Sequence, residues 1–177
     1  RSAMWRIFSN HLRARFETFE AGLGLRVQYK ANDFVTNHGK ADKFRLRNLP
    51  EATAGVRSLE AKLLPPDAAP DQEEYIRLYD HLDPLTHTLM IMTGPDNSEK
   101  TLSYIRELIE LTEPVRDQLK ILIVVGMQNT EGFEEFSPNV FLDPTHHFHH
   151  HYGAETGAVF VIRPDSYIGF SSRPIKS

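Results

Sequence analysis

Apolar and polar positions along this chain change period several times, and each change marks an expected element. Over residues 2–20, Trp5, Phe8, Leu12, Phe16 and Phe19 recur at spacings of three and four. That spacing predicts a helix with one aromatic stripe, with Arg6, Arg13, Arg15, Glu17 and Glu20 mostly elsewhere around it. Gly22 and Gly24 end the pattern, and Leu25–Tyr29 alternates like a short strand. Residues 30–57 are polar and mixed, with Asn32, Asn37, Gly39, Pro50 and Gly55, as expected of a linker or a surface excursion.

From Ser58 the pattern becomes regular. Ser58–Leu64 reads as a strand closed by Pro65-Pro66, and Tyr75–Leu82 as a short helix or turn. Thr88–Thr93 is a compact apolar run of the kind a sheet buries on both faces. Asp96-Asn97-Ser98-Glu99 carries helix-start chemistry, Leu102, Ile105, Leu108 and Ile109 supply a buried stripe, and Pro114 marks its end. Ile121–Gly126 is the strongest buried-strand signal in the chain. Residues 127–142 read as loop, Asp143-Pro144-Thr145 opens a helix, and Gly153 closes it. A hairpin follows: Ala158–Ile162, a turn at Arg163-Pro164-Asp165-Ser166, then Tyr167–Phe170. Strands and helices in this order predict an α/β domain over 58–177, its mixed sheet flanked by helices and finished by an antiparallel edge.

Composition narrows the chemistry. The 177 residues are 40% hydrophobic and 25% charged, an ordinary globular balance. A net charge of −4 argues against a dedicated nucleic-acid partner. No apolar run is long enough to span a bilayer, and the first residues lack a leader's apolar stretch, so no membrane partner and a cytoplasmic location are expected. There is no cysteine, which removes thiol nucleophiles, disulfide exchange and zinc–thiolate sites together. The chain opens at Arg1 and its first methionine is Met4, so it is expected to be a piece of something longer.

Few residues offer catalytic chemistry. His146, His147, His149, His150 and His151 form a cluster in which His146/His150 and His147/His151 are i,i+4 pairs able to clasp a metal on a helix. A polar, partly solvated helix with adventitious metal affinity is the preferred account, since no carboxylate stands at metalloprotease spacing. Glu131, Glu134 and Glu135 could be an acid–base group beside His146, but a charged surface loop accounts for them better. Gly22-Leu23-Gly24-Leu25-Arg26-Val27 has valine where a dinucleotide motif needs its third glycine, and it precedes a strand rather than a helix. No catalytic or cofactor-binding residue is therefore assigned.

Several phrases resemble one family. Ala21–Tyr29, Arg77–Leu82, Thr86–Gly94, His150–Ala154 and above all Val161-Ile162-Arg163-Pro164-Asp165-Ser166-Tyr167-Ile168-Gly169-Phe170 are similar to the C-terminal, thioredoxin-like domains of flavoprotein aromatic hydroxylases, the phenol and polyketide hydroxylase group. The resemblance covers most of 58–172 and, more weakly, 2–29. It implies a thioredoxin-like fold, with residues 1–29 a helix and strand left from the hydroxylase body. It also implies a non-catalytic structural or dimerisation role in a parent monooxygenase of phenolic compounds that uses FAD and NAD(P)H. The flavin and substrate sites would lie in upstream domains, the expected partners of this chain, and a homodimer is a second expected contact. Trp5, Phe8, Leu12, Phe16 and Phe19 are the expected interface. Relative to redox-active thioredoxins the chain reads Gly94-Pro95-Asp96-Asn97 where the cysteine pair would sit, and no proline precedes Gly157. A stand-alone binding module without redox activity, or a metal-binding protein built on residues 146–151, stay open as alternatives.

Overall fold

A computed structural model describes residues 36–38, 52–65, 75–95, 98–127 and 130–173. The elements in chain order are β1 (Thr36–His38), β2 (Lys62–Leu63), β3 (Ile76–Arg77), α1 (Leu78–His81), β4 (His87–Met92), α2 (Glu99–Thr112), β5 (Leu119–Val125), β6 (Val140–Leu142), α3 (His147–Tyr152), β7 (Ala158–Ile162) and β8 (Ile168–Ser172). Short 3₁₀ turns at Glu113–Gln118 and Glu134–Phe136 lead towards β5 and β6. The main sheet runs β1-β8-β7-β4-β5-β6, and β2 and β3 pair separately as an antiparallel ribbon. Strands β4, β5 and β6 are parallel, while β7 is antiparallel to β4 and to β8.

The two central strands explain why both sheet faces are covered. Leu89 and Ile91 of β4, with Ile121, Ile123 and Val125 of β5, face α2 through its buried Leu102 and Ile105. Met90, Met92, Leu122 and Val124 alternate with them and pack on the opposite face against Phe148 and Tyr152 of α3 and Leu78 of α1. Period-two alternation of large side chains in both directions is what a strand between two helical layers requires.

Local signals account for the helix ends. Ser98 caps α2 by accepting the Thr101 N–H on its hydroxyl, and Pro114 falls just past the helix. Gly153 closes α3 at φ 57° and donates its N–H to the His150 carbonyl. The hairpin turn also forms as expected. The Ser166 N–H donates to the Arg163 carbonyl, Ser166 itself adopts φ 66°, and the Arg163 guanidinium meets Asp165 at 2.6 Å. This is a type I turn followed by a left-handed residue, the geometry of a three-residue hairpin loop.

The structure departs from the sequence expectations in four places. The Ser58–Leu64 strand contracts to Lys62–Leu63, with Leu64 forming an isolated bridge to Leu142. The Tyr75–Leu82 segment splits into a two-residue strand and one helical turn, because β3 must pair with β2 before Leu78 can enter the core. The segment read as loop contains β6, three fully apolar residues too few to show a period. The helix expected from Asp143 starts four residues later. Asp143–His146 forms a turn closed by the His146 N–H donating to the Asp143 carbonyl, and His146 is left-handed at φ 54°.

Part of the 30–57 span does more than connect. Strand β1 lies parallel to β8 as an edge of the sheet, and Asn37 Oδ1 accepts both the Ala54 N–H and the Ser171 hydroxyl. Ala52 and Ala54 are buried, and Gly55 and Val56 exchange backbone hydrogen bonds with Ile168. The buried Arg173 guanidinium ties this stretch down by donating to the carbonyls of Ala52 and Tyr152 while it stacks on Phe160. Residues 2–20, with the expected interface side chains Trp5, Phe8, Leu12, Phe16 and Phe19, and the expected strand at 25–29, lie outside the described residues.

Candidate functional site: a filled pocket at the carboxyl end of the parallel strands

In open α/β sheets, ligands bind beyond the carboxyl ends of the parallel strands. In this chain the described residues at that end pack against one another. Gly94, directly after β4, has φ +68°, and a Cβ placed there would stand 2.7 Å from the Glu155 carbonyl oxygen and 3.2 Å from the Gly157 nitrogen. The loop before β7 therefore presses directly on the loop after β4. Gly126, at the end of β5, donates its N–H to the Gly94 carbonyl at 3.1 Å. The His146 ring occupies the space where a Gly126 side chain would project, its Cε1 being 2.6 Å from that position.

Beneath these contacts lies a buried polar pair. His149 on α3 is fully buried and Asp143, after β6, is 3% exposed. The Gly94 N–H donates to His149 Nε2 at 3.3 Å, so that nitrogen carries no proton and Nδ1 does. The Nδ1–H then donates to Asp143 Oδ2 at 2.7 Å, and the same oxygen accepts the His149 backbone N–H at 2.8 Å. Burial works to raise the Asp143 carboxyl. It is outweighed by the hydrogen bonds from the His149 ring and from the His149 and Phe148 backbone N–H groups, which hold Asp143 below its ordinary value. Asp143 thus satisfies orphan N–H groups at the start of α3 and fixes the imidazole that holds the β4–α2 loop. Both nitrogens of His149 are committed to protein atoms. The arrangement is a pin.

The remaining cluster residues diverge. His150 Nδ1 pairs with Glu155 Oε1 at 2.7 Å, whereas His146 packs on Gly126 with its ring 5.4 Å from that of His149. The helical pair His146/His150 is therefore drawn to different partners. His147 and His151 stay together, ring centroids 4.0 Å apart. No group of three metal-ligating side chains occurs among the described residues. The three loop glutamates do not form an acid–base group with His146. Glu135 pairs with Arg106 of α2 at 2.7 Å, Glu134 accepts the Gly132 N–H, and Glu131 is exposed. The pin itself was missed from sequence. The legible signal was an acid at a helix start, six residues before a histidine on the face that Phe148 and Tyr152 bury.

The ring environments carry a pH consequence. Burial, and secondarily the neighbouring His147, lowers His151 from its ordinary value of 6.5, and burial with nearby Lys120 lowers His81 in the same direction. In acid the unfolded chain takes up these protons first, so stability is level above about pH 6.5 and declines below it. Asp143 acts in the same direction but in a more acidic window. Its contribution is complete above its ordinary value of 3.8 and is lost as pH falls through its lower folded value. Thermal melts from pH 8 to pH 3 are expected to show a shallow decline starting near pH 6.5 and a steeper one below pH 4. A flat profile across both windows would contradict the assignment.

Taken together, the sheet order, the helices on both faces and the hairpin after α3 define a thioredoxin-like fold. No protein-family model matches the sequence, and no curated protein sequence does. Solved structures with this fold do. The thiol peroxidase from Chromobacterium violaceum aligns at a TM-score of 0.53 and 17% identity over 80% of this chain and 86% of its own. A peroxiredoxin-like protein from Aquifex aeolicus aligns at 0.53 and 14% over 70% of this chain and 77% of its own. The flavin-dependent monooxygenase PieE, solved with FAD and substrate, aligns at 0.55 and 14% over 87% of this chain but only 23% of its own. The chain thus spans about a quarter of that monooxygenase. At these identities the likeness concerns the fold.

Proposed function

We propose that this chain is the C-terminal, non-catalytic domain of a FAD- and NAD(P)H-dependent aromatic hydroxylase, where it packs against the FAD-binding and substrate domains and contributes to dimerisation. The observation that carries this reading is the filled pocket. Directly after β4 the Gly94 N–H is taken by His149, whose ring Asp143 holds in place, in a chain with no cysteine. A fold kept after its reactive end has been sealed offers surface rather than turnover. The Arg163–Gly169 phrase, and the fit of 87% of this chain within a quarter of a flavin monooxygenase, point to the kind of parent.

The described residues do not fit a flavin pyrophosphate. At the β4–α2 crossing the Gly94 N–H is taken by His149, and the space beside the glycine is filled by the Glu155–Gly157 backbone. FAD therefore belongs to the upstream domains in this reading, and no step of the hydroxylation passes through this chain. The upstream polypeptide, expressed separately, is expected to be yellow with FAD and to bind this chain. Trp5→Ser combined with Phe8→Ser is expected to weaken that binding about tenfold or more, as removing aromatic anchors does. An upstream polypeptide without flavin would overturn the parent assignment. Binding indifferent to the two substitutions, measured by calorimetry, would overturn the interface assignment alone.

A further inference from the structure

We infer that His147 and His151 form a surface site for one divalent d-block cation, of the class Zn²⁺, Ni²⁺ or Cu²⁺, held by two imidazoles one helical turn apart. The structure separates this pair from the other three histidines of the cluster. His149 is buried with both nitrogens engaged, His146 is wedged against Gly126, and His150 is paired with Glu155. His147 is exposed and His151 half-buried, and among the described residues neither ring has a hydrogen-bond or ion-pair partner. Their rings are 4.0 Å apart between centroids and tilted by 49°.

Two nitrogens each about 2.05 Å from a tetrahedral zinc stand about 3.3 Å apart with their ring centres farther out, so the two rings rotate apart from their 4.0 Å contact to take the ion between them. Helix α3 already fixes the i,i+4 spacing, and binding need not order a loop. Two nitrogen ligands without a carboxylate select borderline d-block ions over Mg²⁺ or Ca²⁺, and leave the remaining positions to water.

Calorimetric titration with ZnCl₂ and CuCl₂ at pH 7.5 tests the site, on untagged protein. One ion per chain is expected, with no heat from MgCl₂. His147→Ala and His151→Ala should each weaken binding at least tenfold, whereas His150→Gln changes it less than twofold. The Cu²⁺ complex should show coupling to two nitrogens in its electron paramagnetic resonance spectrum, and to one in either alanine variant. Equal affinity in all four proteins, several equivalents bound without saturation, or loss of binding only in His150→Gln would each overturn the assignment. His147 is exposed, and its alanine variant is expected to keep the far-ultraviolet circular dichroism of the parent, which separates lost ligation from lost folding.

Discussion

Asp143→Ala is expected to destabilise the domain by about 3 kcal/mol, because two buried N–H donors lose their acceptor at about 1–3 kcal/mol each. For a chain of this size that is a fall in melting temperature of roughly 10 °C. The magnitude follows from what is orphaned. One carboxylate oxygen accepts both the ring N–H and the backbone N–H of His149, and the residue is 3% exposed, so water has no ready route to replace it. Asp143→Asn keeps the shape but presents an amide able to donate to Nδ1. That favours the other imidazole tautomer, which costs the Gly94 hydrogen bond, and an intermediate loss of about 2 kcal/mol is expected. Removing both partners, as Asp143→Ala with His149→Leu, should cost less than the two single changes summed. Chemical denaturation measures all four proteins. An Asp143→Ala variant within 0.5 kcal/mol of the parent would refute the pin, being the size of an ordinary surface change.

Gly94→Ala should cost about 3 kcal/mol, although it adds one methyl group. Two effects combine at this position. Left-handed φ carries a penalty of about 1–2 kcal/mol for an L side chain, and here φ is +68°. The new Cβ would also meet a backbone carbonyl at 2.7 Å, a contact that no side-chain rotation relieves. Relief requires the loops after β4 and before β7 to separate, stretching the bond from the Gly94 N–H to His149. The same substitution at an exposed glycine of ordinary geometry is neutral or stabilising. Urea unfolding that shows no loss in Gly94→Ala would mean the two loops are not packed as described.

Much of the scaffold is legible in the sequence alone, and the reasons are physical. Strands β4 and β5 announce themselves because both faces are buried, so every residue from Leu89 to Met92 and from Ile121 to Val125 must be apolar. Helix α2 is legible from its serine cap and its stripe, and the final hairpin from proline and aspartate in a turn whose geometry they favour. What escaped were pieces too short to carry a period: β6, the β2–β3 ribbon and β1. Their conformations are set by partners distant in sequence, as Leu64 bridging Leu142 illustrates.

The pin escaped for a related reason. Among five neighbouring histidines, sequence spacing singles out the i,i+4 pairs, and His149 belongs to neither. Only the left-handed turn at His146 rotates α3 so that position 149 faces inward while 147 and 151 face outward. Spacing identified the right kind of residue, and a single backbone dihedral decided which copy is buried.

Strand β1 bears on how the domain can be cut. Its three residues cover the outer rim of β8, and Gly55 and Val56 bond to Ile168 at the start of the same strand. A fragment trimmed at Ser58, where the regular pattern begins, would keep most of the core yet expose a line of unsatisfied amides and carbonyls. Such a rim recruits strands from other molecules. Solubility of the shortened protein, more than its helix content, is where the loss of so small a piece would be felt.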